Sequence, residues 1–467
     1  MENLSVNILI LVAFNLLFFW QAWSNPFSLA TSELLSTFFP SWIHQGRGEK
    51  NDPYYWIVPN AHPVLSTYYP FSSAISCIMA LYGKGKLNDG FRAFLGLLLI
   101  HVLMCSVGYY FLIHLWANPI VAIFGAITLT YSSYQIKQQP CLIYTISWFP
   151  WLLYGIASHS ILLSSVSFGM MLLAGYYPIG IQATLIAVCA SVWWDSPLTW
   201  LPIGTLIGLP QLIPFLRYLP KTIRTNKHDN IGTIKLSHLI TLISPSLNKP
   251  KDVGFWETSC YVGIIPLVLI ASSSVIISQV WVLGVVSYLL AMGAFNRWFP
   301  RIPSRWLWTF QFTLGWLAVN TLSHLSLPGV CVWSLLAIQA FDLWYHNRLW
   351  PTKPYAELAN RPSFAFNTQL TRFLEGCKER VSGLPWPLFT GHINRIKTLG
   401  YSGGMQLKLM AKWRHDTNPN GSGEHDYFRS NNDMEALNRY RVKYIVSRQG
   451  MGWKSTPIRN LWSNPSL

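Results

Sequence analysis

The sequence predicts an α-helical polytopic membrane protein of about eleven transmembrane helices, followed by a small C-terminal α+β soluble domain. Of the 467 residues, 51% are hydrophobic and only 11% are charged, and the mean hydropathy is +0.29. Soluble domains carry about 25% charged residues, so this deficit excludes a water-soluble core and surface. Two further observations support the prediction: a series of apolar segments near membrane length, and a change to polar composition near residue 350.

The first apolar segment, residues 5–24, is long enough to span a bilayer. It has no flanking Lys or Arg and ends in bulky tryptophans, Trp20 and Trp23. A cleaved signal peptide has a basic start and a small-residue end, so we interpret this segment as a retained first helix.

A polar interval, the first polar loop (25–93), follows this helix and contains one short apolar stretch, 71–82. Twelve residues are too few to span, so this stretch indicates an interfacial or half-buried helix. Because long loops in compact proteins are usually functional or disordered, we expect the active site in the part from Glu33 to Pro70.

Further apolar segments complete a predicted transmembrane domain, residues 1–349. Six of them precede the second polar loop (217–258): 94–116, 118–134, 141–158, 160–177, 178–194 and 197–216. After that loop, 259–294 predicts a hairpin of two helices, and 305–323 and 327–346 predict the last two.

The tail, residues 350–467, is polar and long enough for a small domain. Alternation of apolar and polar residues from Tyr440 to Ser447 predicts a strand. Residues 418–426, rich in Asn and Gly, predict a loop.

The formal net charge is +16. Basic loops facing anionic lipid account for such an excess in a membrane protein, and no nucleic-acid-binding motif competes with that interpretation. The seven cysteines form no CxxC pair, so neither a disulfide framework nor a zinc site is predicted.

Several short motifs occur in a characteristic order. They are Glu33 seven residues before Pro40, Asp52-Pro-Tyr-Tyr-Trp56, Ala61-His62-Pro63, Tyr69-Pro70, Gly175-Tyr-Tyr-Pro178, Gly208-Leu-Pro-Gln-Leu-Ile-Pro214, Glu257 with Tyr261-Val-Gly263, and the tail elements Gly391-His-Ile-Asn394 and Tyr440-Arg-Val-Lys-Tyr-Ile-Val446. In this order they resemble the bacterial YfhO-type membrane proteins, which are placed with the GT-C class of glycosyltransferases. The resemblance covers about residues 30–450.

The resemblance implies an enzyme of the bacterial inner (cytoplasmic) membrane. It would take a sugar from a polyprenyl-phosphate donor in the lipid bilayer and transfer it to a cell-envelope glycan or lipid-linked polymer. Two other classes stay open: a transport-type protein such as a flippase, and a non-catalytic assembly factor of the same fold. Transporters usually carry charged residues within their helices and inverted repeats, and this sequence has few of the former.

Transfer from such a donor requires a base for the acceptor hydroxyl. Glu33, just past the first helix, is the candidate base, because partial desolvation there would favour a raised carboxyl pKa. A helix cap is the competing interpretation of Glu33. Asp52 is the second catalytic candidate, although Asn51-Asp52-Pro53 is also a turn signal.

A divalent cation, Mg²⁺ or Mn²⁺, is the expected cofactor, if the enzyme uses one. Carboxylates are its preferred ligands, so Asp52 is the leading candidate ligand, with His44 beside it in sequence. His62 is assigned to substrate or phosphate binding. No ligand spacing here is diagnostic of a metal.

Arg217, Lys221 and Arg224 recur every three or four residues, which would place them on one helical face. Such a strip suits a phosphate leaving group, and equally suits a basic rim at the membrane surface. Glu257 and Tyr261, before an apolar helix, are assigned to substrate binding, with helix capping as the alternative.

A few ionisable residues lie inside apolar segments, where such residues are functional hypotheses by default. His101 and His114 are thirteen positions apart, too far for one site, and we interpret them as packing and hydrogen-bonding residues. Asp342 lies near a predicted helix end beside Tyr345 and His346, which indicates an interfacial position.

Overall fold

The fold was analysed in a computed structural model, which describes the ranges 2–24, 68–74, 87–136, 140–218, 222–223, 233–245, 247, 258–273, 279–294 and 303–347, and short strands between 380 and 457. Only the backbone is described at 2–3, 87–91, 135–136, 140–141, 217–218, 222–223 and in the strands after 380.

The described part of the chain is mostly helical. The α-helices are α1 (Glu2–Phe18), α2 (Trp20–Ser24), α3 (Leu87–His114), α4 (Pro119–Thr130), α5 (Ser133–Ile136), α6 (Pro140–Ser147), α7 (Phe149–Ala157), α8 (Ile161–Ala174), α9 (Tyr177–Trp193), α10 (Trp200–Tyr218), α11 (Ile264–Ser272), α12 (Gln279–Ala291), α13 (Leu307–His324) and α14 (Gly329–Asn347). Two 3₁₀ helices, Leu236–Leu242 and Pro303–Trp306, lie between them.

The strands are β1 (Thr222–Ile223), β2 (Arg380–Ser382), β3 (Thr398–Leu399), β4 (Gln406–Leu407), β5 (Val442–Gln449) and β6 (Gly452–Pro457). β1 pairs antiparallel with β4. The other four form a mixed sheet in the order β3-β2-β5-β6, with β5 and β6 antiparallel and the other pairs parallel. The predicted strand from Tyr440 to Ser447 is thus confirmed, shifted by two residues to β5. The predicted loop 418–426 lies outside the described residues.

The chain divides into two compact units. One comprises residues 1–25, 96–210 and 226–351, and the other 26–95, 211–225 and 352–467.

Helix ends in the first unit follow from local sequence. Asn118 caps α4, because its side-chain oxygen accepts the backbone N–H groups of Ile120 and Val121 at 3.1 and 3.0 Å. Gly175 ends α8 with a φ of 81°, a left-handed conformation that glycine adopts without steric penalty. The Gly175-Tyr-Tyr-Pro178 motif therefore lies where α8 ends and α9 begins.

Two predicted segments differ from the observed helices. The segment 141–158 is two helices, α6 and α7, which meet at Trp148. The predicted hairpin at 259–294 contains helices α11 and α12, but residues 259–263 are non-helical. Each of the other predicted transmembrane segments overlaps at least one described helix. The segment 5–24 overlaps both α1 and α2.

Buried asparagines tie α1 to the interior of the first unit. Asn7 donates to the hydroxyl of Tyr110 at 3.0 Å, and Asn15 donates to the Leu99 carbonyl at 3.0 Å. The Tyr131 hydroxyl in turn donates to Asn15 at 2.9 Å. These hydrogen bonds satisfy two amide side chains that are buried on one face of α1.

One described helix is long and apolar enough to cross a membrane by its length and composition: residues 92–114, with a mean hydropathy of 2.0. Seven other apolar helices among the described residues are shorter, at 10–17 residues. Of the 18-residue apolar window within this helix, 67% is buried inside the protein, as in the core helix of a soluble protein.

In the second unit, Tyr68 of the first polar loop is hydrogen-bonded to Gln211 of α10. The backbone N–H of Tyr68 donates to the side-chain oxygen of Gln211 at 3.1 Å. Tyr68 directly precedes the Tyr69-Pro70 motif, and Gln211 is the glutamine of the Gly208–Pro214 motif. The residue that precedes the first motif is therefore hydrogen-bonded to a residue of the second, 143 positions further along the chain.

Candidate functional site

The most unusual feature of the first unit is a non-helical segment, Thr258–Gly263, that is buried throughout its length. We call it the buried segment. Its backbone groups cannot bond to each other as those of a helix do, so they require partners from neighbouring elements. Two glutamine side chains and one threonine supply much of this bonding.

Gln311 of α13 is the first of these partners. Its amide nitrogen donates to the carbonyls of Ser259 and Tyr261 at 3.1 and 3.2 Å, and to the Ser133 hydroxyl at 3.1 Å. Its oxygen accepts the backbone N–H of Tyr134 at 3.1 Å. The Ser133 N–H also donates to the Tyr261 carbonyl at 3.0 Å. One amide therefore joins α5, α13 and the buried segment.

Gln339 of α14 holds the end of the segment. Its amide nitrogen donates to the Val262 carbonyl at 2.8 Å and to the Thr128 hydroxyl at 3.2 Å. The next residue, Gly263, has φ and ψ of 97° and 156°, a region that is essentially restricted to glycine. A Cβ at Gly263 would also overlap the Gln339 amide group. Glycine is therefore required at this position for both conformation and space.

A second group of side chains lies where the buried segment enters α11. The Tyr261 hydroxyl donates to one carboxylate oxygen of Asp342, and the Ile264 backbone N–H donates to the other at 2.9 Å. The Nε2 of His346 lies 3.6 Å from the same carboxylate, and the Tyr261 and His346 rings meet edge to face at 4.9 Å. We call Tyr261, Asp342 and His346 the Tyr261 cluster.

Asp342 acts partly as a helix cap supplied from another helix. Ile264 is the first residue of α11, and its own N-cap residue, Gly263, has no side chain that could accept its N–H. A carboxylate at a helix N-terminus is stabilised by the free N–H groups and by the helix dipole. The carboxylate of Asp342 therefore accepts hydrogen bonds from both the Tyr261 hydroxyl and the Ile264 N–H.

The beginning of the buried segment is held by the 3₁₀ helix Leu236–Leu242. The Cys260 N–H donates to the Thr241 hydroxyl at 2.9 Å, and Thr241 donates to the His238 carbonyl at 2.7 Å. The Lys235 N–H donates to the Nδ1 of His238 at 2.6 Å. Desolvation by burial lowers the pKa of His238, although the backbone hydrogen bond with Lys235 opposes this shift.

Within the described residues, this region combines features of a polar site in an apolar bundle. Asp195 and Asp342 are the only acidic residues whose side chains the structure describes, and Asp195 is exposed in a turn. Asp342 is 14% exposed and His346 26%, so these two side chains of the cluster are partly accessible while Tyr261 is buried. A carboxylate, an imidazole and a phenol in contact can bind hydroxyl groups or exchange protons.

Most of the predicted site residues lie outside the described residues. These are Glu33, His44, Asp52, His62, Lys221, Arg224 and Glu257. Arg217 lies in the last turn of α10, where only the backbone is described. No group of three or more His, Cys, Asp or Glu side chains that could hold a metal occurs among the described residues.

Three predicted residues have described side chains that can be compared with expectation. Tyr261 is fully buried and bonded to Asp342. His101 is buried, contacts the Leu97 carbonyl at 2.7 Å and packs on the Tyr144 ring, which confirms the packing interpretation. His114 is exposed, lies 3.2 Å from the Ala117 carbonyl and stacks on the ring of Tyr110 at 5.5 Å, so it also packs and hydrogen-bonds as expected.

Sequence reasoning noted Asp342 and His346 but not their partner, and it did not single out Gln311 or Gln339. An acidic residue in an apolar helix is itself a signal that could have pointed to a buried partner. The glutamines gave no comparable signal, because a lone Gln in an apolar helix is compatible with many positions.

No family model matches this chain, and no curated protein matches it in sequence. The resemblance to the YfhO-type proteins therefore stays a prediction.

Proposed function

We propose that this chain is a multi-pass membrane glycosyltransferase of the GT-C type. In this proposal it transfers a sugar from a polyprenyl-phosphate donor to an extracytoplasmic glycan or lipid-linked polymer. The observation that carries the proposal is the structural role of Tyr261 and Gly263, two residues of the motif Glu257…Tyr261-Val-Gly263. Tyr261 is hydrogen-bonded to Asp342, and Gly263 has a backbone conformation that requires glycine. The described part of the motif, Tyr261 and Gly263, supports the proposal because it belongs to a polar cluster with a defined backbone conformation.

A membrane location is supported by the surface of the described helices. The charged side chains that the structure describes are Arg92, Asp195, Lys235, Arg305 and Asp342. Large apolar side chains are exposed on several helices, including Leu17, Ile181, Val192, Leu206, Val282, Val330 and Phe341. Helices that expose large apolar side chains and carry few charged ones are consistent with a surface that faces lipid.

The buried segment is also consistent with a membrane setting. Non-helical backbone at membrane depth is tolerated only where protein or a water-filled cavity surrounds it, because each unsatisfied backbone group is costly in lipid. Gln311 and Gln339 provide that protein environment for the carbonyls of Ser259, Tyr261 and Val262.

In the proposed enzyme, Glu33 is the base and Asp52, with His44, binds a divalent cation such as Mg²⁺ or Mn²⁺. His62, Arg217, Lys221 and Arg224 contact the donor phosphate, and Glu257 contacts the sugar. Tyr261 is buried and its hydroxyl is bonded to Asp342, so we assign it a positioning role.

The buried segment also fits the alternative function, a transport-type membrane protein. Discontinuous helices in transporters expose backbone groups near a substrate site. In a flippase, the polar groups around Tyr261 would then line a path for a polar headgroup. A non-catalytic assembly factor would use the same hydrogen bonds for structure alone.

The deciding experiment measures transfer of radiolabelled sugar from a panel of polyprenyl-phosphate sugars. Membranes would contain the wild type, Glu33→Gln or Asp52→Asn, with Asp195→Asn as the matched control because Asp195 is an exposed carboxylate in a turn. We expect transfer by the wild type and Asp195→Asn, and at least a hundredfold loss in Glu33→Gln, since a general base contributes about 10²–10⁴-fold.

Absence of transfer from every donor by folded wild-type protein would contradict the proposal. Movement of the labelled lipid across the bilayer without transfer would favour the flippase function.

A further inference from the structure

The Tyr261 cluster reaches the protein surface at Asp342. One carboxylate oxygen of Asp342 accepts the N–H of Ile264 at 2.9 Å, and Ile264 itself is exposed. A carboxylate has about four acceptor sites, and the hydrogen bonds from Tyr261 and Ile264 occupy two of them. Part of the acceptor capacity of Asp342 is therefore left at a partly exposed position.

The charge of Asp342 has no permanent cationic partner in the described part of the chain. The Nε2 of His346 lies 3.6 Å away, and histidine carries a charge only when it is protonated. No lysine or arginine among the described residues forms an ion pair with this carboxylate. A carboxylate at an apolar surface is costly unless a cation pairs with it, so this position favours a positively charged ligand.

Two exposed aromatic rings lie beside the carboxylate on α14. The Tyr345 ring meets the His346 ring edge to face at 5.1 Å and stacks on the Phe341 ring at 6.3 Å. Phe341 and Tyr345 are 63% and 53% exposed, and both are neighbours of Asp342 on the helix surface. Aromatic faces attract ammonium ions, whereas a hydroxyl ligand would bond to Asp342 and leave its charge unpaired. The rings and the carboxylate together therefore select an organic ammonium group.

An apolar stripe continues along α14 from these rings toward the start of the helix. Val330, Trp333, Ile338 and Phe341 are exposed within one broad face of α14. At a rise of 1.5 Å per residue, the stripe from Val330 to Phe341 is about 16 Å long. This length is about half of the ~30 Å hydrocarbon core of a bilayer, which is the reach of one acyl chain. A ligand that carries both an ammonium group and an acyl chain therefore matches this surface in charge and in length.

We propose that Asp342, Phe341 and Tyr345 bind the ammonium headgroup of a phospholipid, and that one of its acyl chains lies along the apolar stripe of α14. The ammonium group donates to the remaining acceptor sites of Asp342 and faces the two rings. Because Asp342 also holds the beginning of α11, the bound lipid stabilises the contact between α14 and α11. The proposal rests on the membrane location proposed above, but it does not require sugar transfer.

The test measures equilibrium binding of radiolabelled phospholipids to the purified, delipidated full chain in neutral detergent. Three probes with identical acyl chains are compared: phosphatidylethanolamine has a primary ammonium, phosphatidylcholine a quaternary ammonium without N–H donors, and phosphatidylglycerol only hydroxyl groups. We expect phosphatidylethanolamine to bind about tenfold or more tightly than phosphatidylglycerol, with phosphatidylcholine between them, because only the first combines charge with hydrogen bonding. Equal binding of the three lipids, or tightest binding of phosphatidylglycerol, would overturn the proposal.

Variants of the site test which side chains recognise the headgroup. Asp342→Asn should weaken binding of phosphatidylethanolamine about tenfold or more, because it removes the charge. The double variant Phe341→Leu/Tyr345→Leu keeps that carboxylate and should weaken binding about fivefold or more, since each exposed cation–π contact contributes a few-fold. Trp20→Leu/Trp23→Leu is its matched control, because these α2 tryptophans are 51% and 53% exposed, and it should bind like the wild type.

The double variant keeps the test decisive if Asp342→Asn does not fold, because both of its side chains are exposed. Wild-type affinity in either variant of the site would overturn the proposal. Free ethanolamine that binds as tightly as phosphatidylethanolamine would overturn the assignment to a lipid, because the apolar stripe would then contribute nothing. These measurements involve no transfer reaction, so a negative result in the sugar-transfer assay would leave them intact.

Discussion

The Tyr261 hydroxyl donates a hydrogen bond to Asp342, a residue 81 positions further along the chain. The same carboxylate accepts the N–H of Ile264, so a single side chain of α14 fixes both the end of the buried segment and the beginning of α11. The position of α11 therefore depends on one charged residue in a largely uncharged bundle.

Asp342→Asn should destabilise the protein by about 1–3 kcal/mol, because the amide can accept only one of the two hydrogen bonds and carries no charge. Thermal unfolding in detergent would measure this loss. Asp195→Asn is the control, since Asp195 is exposed and its left-handed φ of 48° suits asparagine equally well. Equal melting temperatures for the two variants would contradict a structural role for Asp342.

Gly263→Ala should lower stability by about 1–3 kcal/mol through backbone strain alone, with a further loss from overlap with Gln339. Gly180→Ala, in α9, is the matched control. A Cβ at Gly180 meets no atom within 4 Å, so alanine there should stabilise the helix by about 0.5–1 kcal/mol. Denaturation of both variants side by side would show shifts of opposite sign. Shifts of the same sign would argue against the conformation described for Gly263.

Gln311→Leu should cost about 3 kcal/mol or more, since it leaves the Tyr134 N–H and the Ser259 carbonyl without this partner and each buried group costs about 1–3 kcal/mol. Gln279→Leu tests the same chemical change at an exposed position at the start of α12 and should be nearly neutral. The fraction of folded, monodisperse protein after mild heating is a sufficient measurement. Similar recovery for the two variants would show that Gln311 is dispensable.

Stability should decrease as the pH falls below about 6.5, partly because of His238. Burial lowers its folded-state pKa below the unfolded value, so the neutral ring is favoured in the folded protein. The stabilisation from neutral His238 is fully present above the pKa that this histidine has in the unfolded chain. It is lost as the pH falls toward the lower pKa of the folded protein. Protonation of Nδ1 would also break the hydrogen bond from the Lys235 N–H.

His238→Asn should therefore reduce the fall in melting temperature between about pH 7 and about pH 5, because asparagine can accept the same N–H without titrating. His159→Gln, at an exposed turn position, is the control and should keep the wild-type slope. Parallel profiles of melting temperature against pH for the wild type and His238→Asn would show that His238 does not cause the loss of stability at low pH.

Helices in the first unit were largely predictable, because apolar runs are interrupted by strong local signals. Asn118-Pro119 begins α4, Ser160 precedes α8, and Gly175 ends it. These residues act on backbone groups only a few positions away, so a short stretch of sequence contains the information. Length was less informative, because apolar composition continued through Trp148, where the helix is broken.

The Tyr261 cluster was not predictable as a cluster. Residues 259–263 are apolar enough to continue a helix, and only the glutamines of distant helices, Gln311 and Gln339, make the extended conformation favourable. The hydrogen bond between Tyr261 and Asp342 joins residues 81 positions apart, and a contact at that distance leaves no local pattern in a single sequence. The predicted catalytic residues, Glu33 and Asp52, lie outside the described residues and stay predictions.

The asparagines of α1 have a consequence for biosynthesis. The partners of Asn15 and Asn7 on α3, the Leu99 carbonyl and the Tyr110 hydroxyl, lie 84 and 103 positions further along the chain. At about 5–20 residues per second, a ribosome needs roughly 5–20 s to supply them. In a membrane, α1 would have to wait that long with two polar amides in an apolar setting. We therefore expect the nascent first helix to stay beside the insertion machinery until α3 has emerged.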